Sequence, residues 1–373
     1  MKTTTLATIT IGLCLIASPT ALAQFNSGST GADGALNVTT NTTLDLPPNG
    51  IFNFTTIDVA GGVTLRFNRN ALNTPVYLLA TGDVIIRGNI DVSGGNRNGA
   101  DPGKGGPGGF DGGFGAFQGF PDGDGQGPGG GKPSLRYGAA FGLSGASGVN
   151  TNIYGNTLLS PLIGGSGGSA GNGGGGGGGG GGAILIASST RVTILGLITA
   201  SGGVGIGGGS GGAIRVVAPV IDGTGSLQVS GGGGYYGGAE GSPGRTRIDC
   251  TDRLLHRNLT LGGKGTRGIQ MFVFPPGNPR LDIINAAGTP IPEGFNAPVL
   301  VSLPVGSSTN QVVRVQASGF TNDVPIRVKI TPENAPSATF DGVIPQSSGN
   351  PPFADVQVTL PVDTVCIVHA WTR

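Results

Sequence analysis

The densest run of titratable residues in this 373-residue chain is Arg245-Thr-Arg-Ile-Asp-Cys-Thr-Asp-Arg-Leu-Leu-His-Arg257. Guanidinium groups meet anionic oxygens through a planar fork, so Arg245, Arg247 and Arg257 are candidates for clamping an anionic sugar. Asp249 and Asp252 lie in the same run, and the plainer reading is a solvated junction in which they neutralise the arginines. Acid–base work on a glycosidic bond needs two carboxylates on one exposed face. Asp58 and Asp91 are the candidate pair, stacked one coil apart, but no basic residue recurs beside them. A structural ladder is therefore the favoured reading of that pair. Asp122-Gly-Asp-Gly-Gln-Gly127 opens like an EF-hand loop, yet its twelfth position is Pro133 where a bidentate Glu is required. His256 and His369 are the only histidines, too few for a zinc centre without cysteine ligands. Neither a nucleophile elbow nor a phosphate-binding loop is present. No catalytic residue, metal site or cofactor is expected.

Aromatic rings offer a second kind of chemistry. Phe110, Phe114, Phe117, Phe120, Tyr235 and Tyr236 stand in glycine-rich loops where other side chains are scarce. Two readings are open. They are pegs that dock the loops on a wall, or some of them project outward and stack on sugar rings. Cys250 and Cys366 also leave two readings open, a disulfide or two buried free thiols. The bridge would close a loop of about 116 residues and contribute about 4–5 kcal/mol on the chain-entropy model.

These residues must be positioned by a repeating scaffold. An eight-residue phrase recurs as Thr55–Gly62, Gly88–Gly95, Gly196–Gly203 and Gly225–Gly232, each with apolar residues at its third and fifth places and Gly-Gly at its end. Period-two alternation marks a strand with one buried face, and the glycines end it. Further strands are expected upstream at Val76–Ala80, Ala183–Ala187 and Ala213–Ala218, with middle segments at Val84–Arg87 and Val192–Leu195. The closing glycines lie 33, 108 and 29 residues apart, so one repeat is interrupted by an insertion. Stacked units of this period point to an all-β parallel β-solenoid, right-handed and β-helix-like, over residues 24–268 with a glycine-rich insertion at 96–182. A β-sandwich suits short strands between turns as well.

Glycine supplies 77 residues, with ten in a row at Gly173–Gly182. Such runs are either floppy linkers or extended three-fold helices that pack where only glycine fits. Because the runs keep re-entering the same repeat, packed order is expected, with ten residues spanning about 31 Å along the flank. Beyond Ile269 glycine thins and strands are expected at Leu281–Asn285, Val299–Leu303, Gln311–Ala317, Val324–Ile330, Ala354–Leu360 and Val365–Trp371. Residues 269–373 thus read as a small immunoglobulin-like β-sandwich.

Residues 1–23 read as a secretory signal peptide, with Lys2, an apolar stretch and Ala21-Leu22-Ala23 before Gln24. Nothing later is long and apolar enough to span a membrane. Only 11% of the chain is charged, against roughly 25% in ordinary domains, which argues against a nucleic-acid partner. Phe25–Leu36, Thr74–Asp83, Gly211–Arg215 and Gly241–Arg245 resemble phrases of glycine-rich secreted bacterial β-solenoid proteins. That resemblance implies an exported bacterial setting and no activity. The glycine runs are similar in packing chemistry to those of certain phage tail-tip adhesins. The combined expectation is a secreted, non-enzymatic surface or extracellular-matrix protein, adhesive or structural, contacting polysaccharide or a cell surface and able to self-associate. The alternative is a carbohydrate-active β-helix enzyme.

Overall fold

The computed structural model describes residues 25–135, 138–144, 150, 152–171, 174–274, 279–293, 299–304, 306–333, 335–361 and 364–373. The expected signal peptide lies outside the described residues, as do Asn172 and Gly173. The chain is all-β, with three parallel sheets followed by two antiparallel ones.

The first strands are β1 (Ala35–Val38), β2 (Thr42–Asp45), β3 (Ile51–Phe54), β4 (Thr56–Val59) and β5 (Thr64–Asn68). Then come β6 (Val76–Ala80), β7 (Val84–Ile86) and β8 (Asn89–Asp91), and, after the insertion, β9 (Ala183–Ser188), β10 (Arg191–Ile194) and β11 (Leu197–Thr199). They continue as β12 (Ala213–Val217), β13 (Val220–Gly223), β14 (Ser226–Gln228), β15 (Arg245–Asp249), β16 (Thr260–Leu261) and β17 (Lys264–Gly268). Successive strands fall in different sheets, and every third strand pairs in parallel with its predecessor. The sheets run β1-β4-β7-β10-β13, β2-β5-β8-β11-β14-β16 and β3-β6-β9-β12-β15-β17. Through β15 each circuit of the chain adds one strand to each sheet, and the last adds β16 and β17 with none to the first sheet.

Register places like on like. Ile57, Val84, Val192 and Ile221 form one inward column, while Leu65, Ile90, Ile198 and Leu227 form another. Phe52, Leu78, Ile186, Val216 and Ile248 form the third. These columns meet in a single apolar core, where each fully buried side chain contributes about 1.5–3 kcal/mol. The insertion falls between β8 and β9 without disturbing either ladder, because β8 still pairs with β11 and β6 with β9.

The third sheet is buried on both faces, which is why Ala-Ile-Leu-Ile-Ala-Ser in β9 is apolar throughout. Its outer face is covered by insertion residues Phe141, Tyr154, Leu159 and Leu162, packed on Leu79, Leu185 and Val217.

Three of the four recurring phrases, at β8, β11 and β14, stack in register as expected. The first does not. Thr55–Gly62 holds β4, whose neighbour is β7, and the true counterpart of β8 is β5. Asp58 and Asp91 consequently lie in different sheets and do not stack. Asp58 pairs with Arg87 at 2.5 Å and Asp91 with Arg66 at 3.2 Å. The phrase encodes an in–out–in strand followed by a turn, a requirement common to all three walls, so it cannot by itself number the sheet.

The remaining strands are β18 (Arg280–Ala286), β19 (Thr289–Pro290), β20 (Asn310–Ser318), β21 (Val324–Pro332), β22 (Ala338–Ile344), β23 (Phe353–Thr359) and β24 (Cys366–Thr372). They form the antiparallel sheets β19-β18-β20-β23 and β22-β21-β24, which share one core around Val315, Ile326, Val328 and Val356. The strand expected at Val299–Leu303 is irregular chain, and β22 was not expected.

Candidate functional site

The glycine runs determine what the molecule presents to its surroundings. The backbone of Gly177–Gly182 donates with a three-residue period. Gly177 and Gly180 donate to Gly113 and Phe110, Gly178 and Gly181 to Gly207 and Ser210, and Gly179 and Gly182 to Gly95 and Val92, all at 2.7–3.0 Å. Its carbonyls accept with the same period. Gly177 and Gly180 accept from Gly103 and Gly106, Gly178 and Gly181 from Gly168 and Gly165, and Gly176 and Gly179 from Ile206 and Gly203. One extended run is therefore hydrogen-bonded to six neighbouring segments, as a three-fold extended helix permits and a β-strand does not. A Cβ on Gly178 would stand 2.0 Å from the Gly203 oxygen, and one on Gly180 would stand 2.0 Å from the Gly165 oxygen. Only glycine fits such approaches.

The runs pair with one another, as the expectation of packed order requires. They leave and re-enter the wall as hairpin excursions, closed at their base by bonds from Gly182 to Val92, Gly212 to Ala200 and Gly244 to Val229.

At the far end the segments reverse, and the reversals are bonded to one another. Ala100 accepts from Gly115, Val204 from Arg97, Gly176 from Ile206, and Gly205 from Tyr235. Two of these reversals are tight turns with both central residues at positive φ, the type that matches a paired ribbon. In Phe117–Phe120 the central residues are Gln118 (φ 47°) and Gly119 (φ 91°). In Tyr235–Gly238 they are Tyr236 (φ 48°) and Gly237 (φ 77°).

These turns hold four rings in solvent: Phe117 is 62% exposed, Phe120 50%, Tyr235 51% and Tyr236 71%. The tyrosine rings lie 5.7 Å apart, and the Arg97 guanidinium stands 5.3 Å over Tyr235. The end of the bundle is thus a firmly bonded backbone surface bearing exposed aromatic faces and one cation. Such a surface can stack on planar or ring-shaped ligands.

Other candidate residues are placed differently. Phe110 is a peg, its ring edge-on to His369 of β24 at 5.4 Å, and Phe114 is half-buried. Lys329 is buried beneath the same contact and donates to the carbonyls of Gly125 (3.2 Å) and Gly127 (2.9 Å). Asp124 accepts from the Ser337 amide and hydroxyl at 2.9 and 2.6 Å. The C-terminal sheets are therefore fastened to the glycine bundle. Burial pushes Lys329 down to about 8, and burial together with the charge of Lys329 pushes His369 down to about 4.

The arginine run does not act as one clamp. Arg247 is buried and makes two 2.7 Å bonds to Asp249, which also accepts from Arg215 at 3.2 Å. Arg247 further donates to Thr157 and Arg215 to Gln270, so this buried triad ties insertion and linker to the wall. At Arg247 and Asp249 the solvated junction expected from sequence gives way to burial, because the insertion covers the third sheet. Arg245 is half-buried and reaches the Gly142 carbonyl. Arg257 alone of the three is exposed, in the 3-10 turn Leu255–Asn258. Arg215 was not singled out from sequence. Its one signal was a charge at an outward place in the otherwise apolar β12.

The cysteines are free thiols. Cys250 belongs to the core inside the parallel sheets, whereas Cys366 packs on the core of the antiparallel pair. Burial pushes the Cys250 thiol up to about 11. Among the described residues no group of three or more His, Cys, Asp or Glu is gathered as a metal would require, and no helix is long and apolar enough to cross a membrane. No family model, curated protein or solved structure matches the chain.

Proposed function

We propose that the protein is a secreted, non-enzymatic surface or extracellular-matrix protein whose aromatic bundle end contacts carbohydrate or another cell-surface component. In this reading the parallel sheets form a β-solenoid over residues 24–268, and residues 269–373 form an immunoglobulin-like sandwich that braces the bundle. The chain belongs, on this account, with the glycine-rich bacterial secreted proteins its phrases resemble, following export through residues 1–23. The observation that carries the reading is the presentation of Phe117, Phe120, Tyr235 and Tyr236 on hydrogen-bonded reversals. Large rings at such exposure are costly to keep wet, and exposed aromatic faces mark interaction surfaces. The strand carboxylates Asp58, Asp91 and Asp222 each face a guanidinium across neighbouring circuits, which supports a ladder role for them.

The test is retention of the mature protein on insoluble neutral polysaccharides, with soluble products assayed in the same tubes. Retention without product is expected, and replacing Tyr235 and Tyr236 by Ala weakens it about tenfold, as for other aromatic anchors. Product release, or retention indifferent to these residues and to Phe117 and Phe120, would contradict the reading.

A further inference from the structure

On the last circuit the chain forms an open cleft of about 440 Å³ lined by Arg253, His256, Arg257 and Arg267. Its charge is unlike that of the rest of the molecule. Ten arginines form ion pairs with carboxylates: Arg66, Arg69, Arg87, Arg191, Arg215, Arg247, Arg280, Arg314, Arg327 and Arg373. Among the described residues the three cleft arginines have no such partner. Arg267 donates one bond to the Leu259 carbonyl, and the nearby Asp252, whose carboxylate accepts from the Leu254 amide, offsets part of the positive charge. The 3-10 turn Leu255–Asn258 carries Arg257 and the buried His256, strand β17 carries Arg267, and Arg253 lies in the segment leading into the turn.

Three cations facing one cleft repel one another, and a bound anion removes that repulsion. The repulsion registers on His256, whose pKa is lowered first by burial and then by the charges of Arg267, Arg253 and Arg257. That lowering favours the neutral ring, whose Nδ1 lies 3.5 Å from the Cys250 sulfur. We propose that this cleft is an oxyanion-binding site, taking a ligand with two or more acceptor oxygens such as a uronate carboxylate, a sulfate or a phosphate. Guanidinium forks suit all three of these groups. The cleft is built from different elements than the aromatic bundle end, so it does not depend on the carbohydrate reading.

Isothermal titration of the mature protein at low salt, with trigalacturonate, inorganic sulfate and pyrophosphate as separate arms, tests it. Binding is expected in at least one arm, which identifies the oxyanion. It weakens at least about tenfold in R257Q and further in R257Q/R267Q, whereas R327Q, an ion-paired arginine of β21 outside the cleft, leaves it unchanged. R257Q/R253Q stands in for R257Q/R267Q should loss of the Arg267–Leu259 bond disturb folding. No binding in any arm, or equal binding by R257Q and R327Q, would overturn the proposal.

Discussion

The parallel walls and the glycine bundle order the same polypeptide by opposite means. In the walls, backbone bonds run in ladders and the third column of the core, Leu78–Ile186–Val216, removes apolar surface from water. In the bundle there is almost no side chain to bury, and six neighbours around Gly176–Gly182 satisfy the backbone instead. Glycine loses the most entropy on folding, so the bundle is stable only if nearly every amide and carbonyl finds a partner. A wall tolerates some change of side chain but not loss of volume. Where glycines of the bundle abut backbone atoms, as at Gly178 and Gly180, no side chain can be added.

The comparison is sharpened first at the seam between the two. Asp249→Ala leaves Arg215 and Arg247 buried without a counter-charge, and a loss of about 3–5 kcal/mol is expected by denaturant unfolding. Next, Gly180→Ala places a methyl 2.0 Å from a backbone oxygen and costs about 3 kcal/mol. Ile186→Ala does the reverse in the wall, removing methyl groups, and costs about 2–4 kcal/mol. If Gly180→Ala proved neutral while Ile186→Ala did not, the bundle would lack the packing assigned to it.

A smaller effect is expected at the brace. His369, lowered to about 4, binds fewer protons folded than unfolded between that value and its ordinary 6.5. Stability therefore falls as pH drops from about 6.5 to about 4, by on the order of 1–2 kcal/mol once partial exposure of the ring is allowed for. His369→Gln should flatten that dependence in thermal unfolding followed across this range. The smallest effect is the control: Gly233→Ala meets only a Val204 methyl at 3.9 Å and should change stability by no more than about 0.5 kcal/mol.

Much of the wall was legible in the sequence, because alternation and recurring Gly-Gly report a strand and its end wherever they occur. What alternation does not report is which wall a strand joins, and this is why Thr55–Gly62 was taken for a counterpart of β8 when it belongs beside β7. Strands β13 and β22 were obscured by Asp222-Gly223 and Asp341-Gly342, pairs that ordinarily mark turns. Here Asp222 faces Arg191, Asp341 pairs with Arg327 at 2.6 Å, and a Cβ on Gly342 would stand 3.2 Å from the Val356 side chain. The aromatic residues were visible as rings in glycine-rich chain, but their division into peg and exposed face was not. That division depends on His369 lying over Phe110, some 260 residues away in the chain. The oxyanion cleft was half visible: Arg257 and its neighbours stood out as charge, whereas the burial of Arg247 required the insertion to be laid over β15.

The account stands on the bundle being a firmly bonded body, and backbone amide hydrogen exchange measures that property directly. Exchange of Gly176–Gly182 should be slowed to nearly the extent of the adjoining β9 amides, Ala183–Ser188, since both are closed by hydrogen bonds within one cooperative unit. Exchange of the glycines at the rate of unstructured chain, with β9 still protected, would contradict it.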